Sequence, residues 1–277
     1  MGERMGWRSS FLVLGVAGLV LAGIARLVLR DAPRQMTSVK HAERHPLLPQ
    51  LKRLVSTPSY LLLAADEMIV SAGVWMFLNW MPLYFKETFG LSLASAGLSS
   101  TMALQGSASL GLLVGGSLSD RIAHRALPRR MLLMGLSYIA VAPCTLFFMR
   151  HASLGIITVA IVVFSFGRAF GAVNEDVIVC DLLAPHDRST GVGLLNMMNC
   201  FSGGFGILLA GLLSKRVGLA GMFACVSGLM LLAAAADLVA YYFFLPRDLI
   251  AARHVQEQSE LEARTNSGPF EHEALRP

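Results

Sequence analysis

Seven stretches of this chain stay apolar for about 20 residues or more, the length needed to cross roughly 30 Å of hydrocarbon. They run from Phe11 to Leu29, Tyr60 to Phe85, Leu91 to Leu118, Met131 to Met149, Leu154 to Val173, Val192 to Leu213 and Val217 to Leu245. Inside a bilayer no water completes the hydrogen bonds of an open backbone, so each stretch must close its own as a helix. Hydrophobic residues make up 55% of the chain, charged residues only 15%, and the mean hydropathy is +0.59. A surface facing lipid is required, and the fold class is all-α: a polytopic membrane helical bundle with seven transmembrane helices.

The net charge of +5 does not mark a nucleic-acid partner, because Lys and Arg are distributed among the connections rather than gathered on one face. They sort by side instead. If the chain crosses at every stretch, fifteen cationic residues fall on the side of Arg30, Lys52, Arg121 and Arg253, and six on the side of Arg8, Lys86 and Lys215. The excess of positive charge marks the cytoplasm, with the amino terminus outside and the carboxyl terminus inside. Arg4 and Arg8 ahead of a short apolar core would also suit a cleaved signal peptide, against which stand the six cations that follow the first stretch. Cys144, Cys180, Cys200 and Cys225 sit in or beside apolar segments with no metal-ligand spacing, so they read as packing thiols; no metal and no cofactor is expected.

Between the third and fourth stretches lies a short polar loop with Gly116, Leu118, Asp120, Arg121 and Arg125, followed by Arg129 and Arg130. A glycine there allows two helices to approach as they leave the bilayer, and one carboxylate among several guanidinium groups can latch and release. The run resembles the loop signature of the major facilitator superfamily, Gly-x-Leu-x-Asp-Arg-x-Gly-Arg-Arg, with Ala123 and His124 in place of the Gly-Arg pair. The segment from Asn79 and Trp80 through Pro82 and Tyr84 to Gly90 and Gly97, and that from Pro185 through Asp187, Arg188 and Gly191 to Asn196, resemble spinster-like lipid transporters and organic-anion carriers. The resemblance implies a conformational gate at Gly116, Asp120, Arg121 and Arg125.

It also orders the chain. Residues 1–30 would be the family's sixth helix and residues 31–59 a cytoplasmic interdomain linker rich in proline and charge. Residues 60–245 would be a six-helix bundle, and residues 246–277 a polar cytoplasmic tail without fixed structure. On this reading the first five helices of a complete facilitator are missing, as in a truncated product, an isoform or an incomplete gene model. Alternating access needs one half to rock against the other around a midplane site.

Ionisable residues within the stretches cost on the order of 2.5 to 3.5 kcal/mol each at a helix centre, so each must face protein or water. The candidates for a substrate or ion pathway are Asp66, Glu67, Trp75, Asn79, Arg168 and Glu175. Asp66 and Glu67 lie near a span end and either snorkel toward the headgroups or serve a proton or substrate site. Arg168 lies deep in its stretch and two turns from Glu175, about 10 Å, too far to pair with it directly. Asp237 stands among Ala233 to Ala236, a small-residue surface suited to a hydrogen bond at a helix contact. Phe77 is a further cavity candidate, and Gly203 with Gly204 a candidate flexible segment.

No H-E-x-x-H, no G-x-S-x-G and no clustered histidines are present, so no enzyme is expected. The resemblance implies secondary transport of a small organic or amphiphilic solute, with a proton or sodium as possible coupling ion. The alternative is a nontransporting half-protein that acts by associating with a partner half-transporter in the bilayer.

Overall fold

Proline and glycine punctuate the helices where the backbone requires them. The computed structural model describes residues 7–28, 47–123, 127–150 and 152–254, and every regular element among them is helical. The chain divides into two compact units, residues 1–45 and 46–277. The first contains α1 (Trp7–Val28), 22 residues long and apolar around its circumference, with Arg26 in its last turn. A helix without a polar face is built for burial in lipid or protein.

In the second unit α2 (Leu47–Val55) falls inside the stretch expected as linker. Pro49 does not prevent it, since the first-turn N–H groups of a helix have no intrahelical partner. Leu54 and Gln50 are buried and Arg53 closes its last turn. Next, α3 (Pro58–Phe89) opens on Pro58 and ends at Gly90, whose left-handed φ of 65° lets its N–H reach the Lys86 carbonyl at 3.1 Å. At 32 residues it is about 48 Å long, more than the hydrocarbon thickness.

The next column is broken. Ser92 caps α4 (Leu93–Thr101) by accepting the Ser95 N–H at 3.2 Å, and a wide π-turn over Met102–Gly106 separates it from α5 (Ser107–Ala123). Such a turn loosens the carbonyl ladder, and here the Ser165 hydroxyl donates to the Leu104 carbonyl at 2.6 Å. After α6 (Arg129–Val141) the chain tightens into a 3-10 segment, Ala142–Arg150, where Pro143 has no N–H to give. Then come α7 (Leu154–Leu182) and α8 (Arg188–Val239), two helical arms merged across Gly218, which takes φ 73° and ψ 171°.

Among the described residues five helical segments are long and apolar enough to cross a membrane: Phe11–Val28, Pro58–Phe89, Arg129–Arg150, Leu154–Leu182 and Arg188–His254. The last bends at Gly218 and contains two of the stretches read from the sequence. The column from Leu93 to Ala123 is not among the five, because its serines, glycines and Gln105 dilute the apolar run.

Within the second unit α3 packs most extensively on α8, α5 lies along α7, and α6 bridges α7 and α8. Phe77 stands at the centre of the core, stacked on Phe164 at 4.9 Å and edge-on to Phe148 and Phe223. It is 1% exposed and lines no cavity wall described below, which corrects the sequence expectation. Gly203 and Gly204 are also corrected: they lie inside an unbroken helical arm, with Gly203 pressed against the Trp75 indole. The break falls at Gly218 instead. Residues 246–254, expected as unstructured tail, continue the helix because Leu249 is buried and Asp248 accepts the Ser59 N–H at 2.9 Å. Residues 255–277, and residues 29–46 of the expected linker, lie outside the described residues.

Candidate functional site

Residues 67, 71 and 75 recur every four positions on one face of α3, and residues 168, 172 and 175 share a face of α7. Together with Asn199 of α8 these faces enclose a cavity of about 100 Å³ lined by Glu67, Ser71, Trp75, Arg168, Ala172 and Glu175. The volume holds about three waters, and complete solute pockets begin near 300 Å³. The cavity is therefore smaller than a complete solute pocket.

Its polar groups are positioned by hydrogen bonds across α3 and α8. The Asn199 amide donates to Glu67 Oε1, and the Ser71 hydroxyl lies 2.8 Å from the Asn199 carbonyl and 3.1 Å from its Oδ1. One turn along α8, Ser202 donates to the Met68 carbonyl. The side chains of Glu67, Glu175 and Arg168 face the same cavity. Arg168 forms no ion pair among the described residues. A half-buried guanidinium with free donors facing a polar cavity is equipped to meet a carboxylate or phosphate.

Four of the six pathway candidates read from the sequence thus come together: Glu67, Trp75, Arg168 and Glu175. Asn79 does not join them; it is exposed and donates to the Trp75 carbonyl of its own helix at 3.0 Å. Asp66 projects from another face of α3, is 0% exposed, and neither carboxylate oxygen has a hydrogen bond among the described residues. Snorkelling is thereby excluded for it, since no part of the side chain reaches the surface. Asp237 is likewise 0% exposed. Its Cβ packs near Gly135, as its small neighbours allow, yet the expected hydrogen bond is absent among the described residues.

In the segment expected as a gate the carboxylate of Asp120 turns toward Arg130 rather than to Arg121, with Nη2 donating to Oδ1 at 3.0 Å. Arg130 also donates to the Ser119 hydroxyl at 2.9 Å and to Asn174 Oδ1 at 3.2 Å. Ser119 in turn donates to Asn174, so the start of α6 is tied to α5 and α7 at once. Arg121 is exposed, and Arg125 lies outside the described residues. A Cβ on Gly116 would meet Val173 only at an ordinary 3.5 Å, so the close approach expected there belongs instead to Gly111, under the Phe166 carbonyl.

Sequence reasoning missed a second tie. Arg53 of α2 grips Asp187 at the start of α8, and Tyr60 donates to the Gly191 carbonyl at 2.9 Å. Asp187 and its charge raise the Arg53 guanidinium further above its ordinary value, against a smaller loss from desolvation. Thr190 donates to Gln50 Oε1 at 2.9 Å on the same seam.

An all-α polytopic bundle with helices long and apolar enough to cross a membrane defines an integral membrane protein. The chain belongs to the major facilitator superfamily, whose family model matches residues 1–174 and, in a second overlapping register, residues 68–272. An "MFS-type efflux pump" of Mycolicibacterium smegmatis (strain ATCC 700084 / mc(2)155) is 27% identical over 219 residues, covering 78% of this chain and 50% of that protein. The "Probable galactarate/D-glucarate transporter GarP" of Escherichia coli (strain K12) is 28% identical over 200 residues, covering 62% and 44%. The chain thus spans about half the length of these curated relatives. Among solved structures, a bacterial homolog of the human lysosomal transporter Spinster, inward-facing and occupied, superposes with a TM-score of 0.66 at 19% identity. That match covers 88% of this chain and 59% of the other, and is a likeness of fold.

Proposed function

We propose that this chain forms the sixth helix and the six-helix carboxyl-terminal half of a secondary carrier that moves a small organic anion, simple or amphiphilic, coupled to a proton or sodium. Seven spans, with the amino terminus outside and the carboxyl terminus in the cytoplasm, complete the reading; the cationic excess on one side supports that orientation. The observation that carries the proposal is Arg168, facing a polar cavity with Asn199 beside it and, among the described residues, no carboxylate bound directly to its guanidinium. The printed names of relatives agree in charge: galactarate/D-glucarate, nitrate/nitrite and sulfoacetate are all anions. Glu67 and Glu175 supply the coupling carboxyls, and the Asp120 and Arg130 contact acts as the gate latch.

Reconstitution of the protein into liposomes tests this with D-glucarate, nitrate and a lysolipid as probes. Accumulation of one of them under an imposed proton or sodium gradient is the expected result. A stable complex with a second membrane protein and no flux supports the alternative of a nontransporting half. Chemical turnover of a probe without net movement overturns both.

A further inference from the structure

Three fully buried polar side chains stand between α3, α6 and α8 beyond the cavity wall. Asp66, Tyr138 and Asp237 are each 0% exposed, and none of their side-chain oxygens has a hydrogen-bond partner among the described residues. They are neighbours: α3 runs antiparallel to the last helical arm, with Ser59 on Asp248 and Gly73 against Val226 and Met230, which brings Asp66 level with Asp237, while Tyr138 lies one turn from Gly135, itself against Asp237. Glycines make the room. Gly135, one turn before Tyr138, leaves space into which a Cβ would come within 3.2 Å of the Asp237 Cβ, and Gly171 of α7 yields to the Tyr138 hydroxyl.

An orphaned polar atom in a low-dielectric interior is costly, and an uncompensated buried charge more so. Two carboxyls and a phenol left together with no hydrogen bond among the described residues suit an occupant that neutralises a carboxylate. The groups that face them are Glu67 on α3, Glu175 and Arg168 on α7, and each other. Arg168 lies on the cavity wall and makes no ion pair with either aspartate. Glu175 is within electrostatic reach of Asp66, Asp237 and Tyr138 while also lining the cavity, so it connects the buried group to the solute wall.

We propose that Asp66, Asp237 and Tyr138 form a binding site for one small monovalent cation, a proton or sodium, reached from the cavity by way of Glu175. The inference rests on the transport reading and adds to it the seat of the coupling ion. The proton is favoured because it neutralises a buried carboxylate on one oxygen, whereas sodium needs a shell of several oxygen ligands. Its movement is a transfer of one proton, which leaves one carboxyl oxygen as the next accepts it, so charge is conserved.

The test follows thermal unfolding of the purified full chain by intrinsic tryptophan fluorescence. Sodium is compared with choline at fixed ionic strength, and mildly acidic with mildly basic pH at fixed sodium. We expect the midpoint to rise with the bound cation by about 5 °C. A rise in sodium at constant pH assigns the site to sodium; a rise on acidification without a sodium effect assigns it to the proton. In the Asp66→Asn, Asp237→Asn double variant, amides of the same shape carry no charge, so the cation dependence should vanish and the midpoint without cation should rise. Cation dependence undiminished in the double variant overturns the proposal, as does a native midpoint indifferent to both cations. A double variant that cannot fold overturns it too, because removing uncompensated charge should ease folding; each single Asn variant must then also lose stability. Binding of glucarate or nitrate to the same samples, with Arg168→Lys as comparison, reports separately on the solute reading, so each can fail alone.

Discussion

Arg53 and Asp187, 134 residues apart, meet through two parallel hydrogen bonds of 2.8 Å, Nε to Oδ2 and Nη2 to Oδ1. The pairing fastens the short helix α2 to the start of α8, beside the seam made by Tyr60 with Gly191 and Gln50 with Thr190. Asp187 is 5% exposed at its side chain and Arg53 49%, so solvent weakens the charge attraction while the fork geometry remains.

The first expectation concerns that pair. A double-mutant cycle with Arg53→Ala and Asp187→Ala should give a coupling of about 1 kcal/mol in unfolding measurements. Arg53→Lys should recover less than half of it, because an ammonium cannot bridge both oxygens. Additive single effects would show that α2 is held by Leu54 and Gln50 alone.

At the gate, Asp120 and Arg130 should behave unequally. The Asp120 carboxylate is 69% exposed, so Asp120→Asn should change stability by less than about 0.5 kcal/mol while altering the rate of conformational exchange in a full-length relative. Arg130→Ala should cost more, about 2 kcal/mol, since it also removes the hydrogen bonds to Ser119 and Asn174. Equal losses of stability from the two would place the role of Asp120 in folding rather than in switching.

Close packing of α5 on α7 gives a third test. A methyl group on Gly111 would collide with the Phe166 carbonyl and sit 2.8 Å from the Ala169 Cβ. Gly111→Ala should destabilise by about 1 to 3 kcal/mol, whereas Gly97→Ala, with open space at its Cβ, should be neutral or slightly stabilising. Thermal unfolding of the two variants side by side checks the contrast.

Orientation can be read with reporters. Fusions after Lys52 and after Arg253 should both be cytoplasmic, and one after Lys86 external, as the distribution of cations requires. Opposite labelling at either of the first two positions overturns the orientation.

The apolar stretches were legible because a membrane demands long uninterrupted runs, and Gly218 falls just inside the seventh, at the turn between two of them. The π-turn at Met102–Gly106 was not, since it depends on Ser165, 61 residues away, taking the Leu104 carbonyl. Charges in or beside apolar runs drew attention to Glu67, Arg168 and Glu175, which the fold brings to one cavity. Ser71 and Asn199 went unnoticed because neutral polar residues are tolerated in membrane helices, and only their contact across α3 and α8 reveals their part. The partner of Asp120 was obscured for a similar reason: several arginines lie nearby in sequence, and the fold selects Arg130 through Asn174.

Arg168→Lys is the measurement closest to the central claim. Uptake of glucarate or nitrate into vesicles containing the complete carrier, normalised to folded protein, should fall at least tenfold, because lysine keeps the charge but loses the planar fork that engages an anion at two points. Thermal stability should be unchanged to within about 2 °C. Normal uptake by the Lys variant at normal abundance would contradict the anion contact, and a loss of folded protein in Arg168→Ala rescued by Lys would make the residue a structural charge instead.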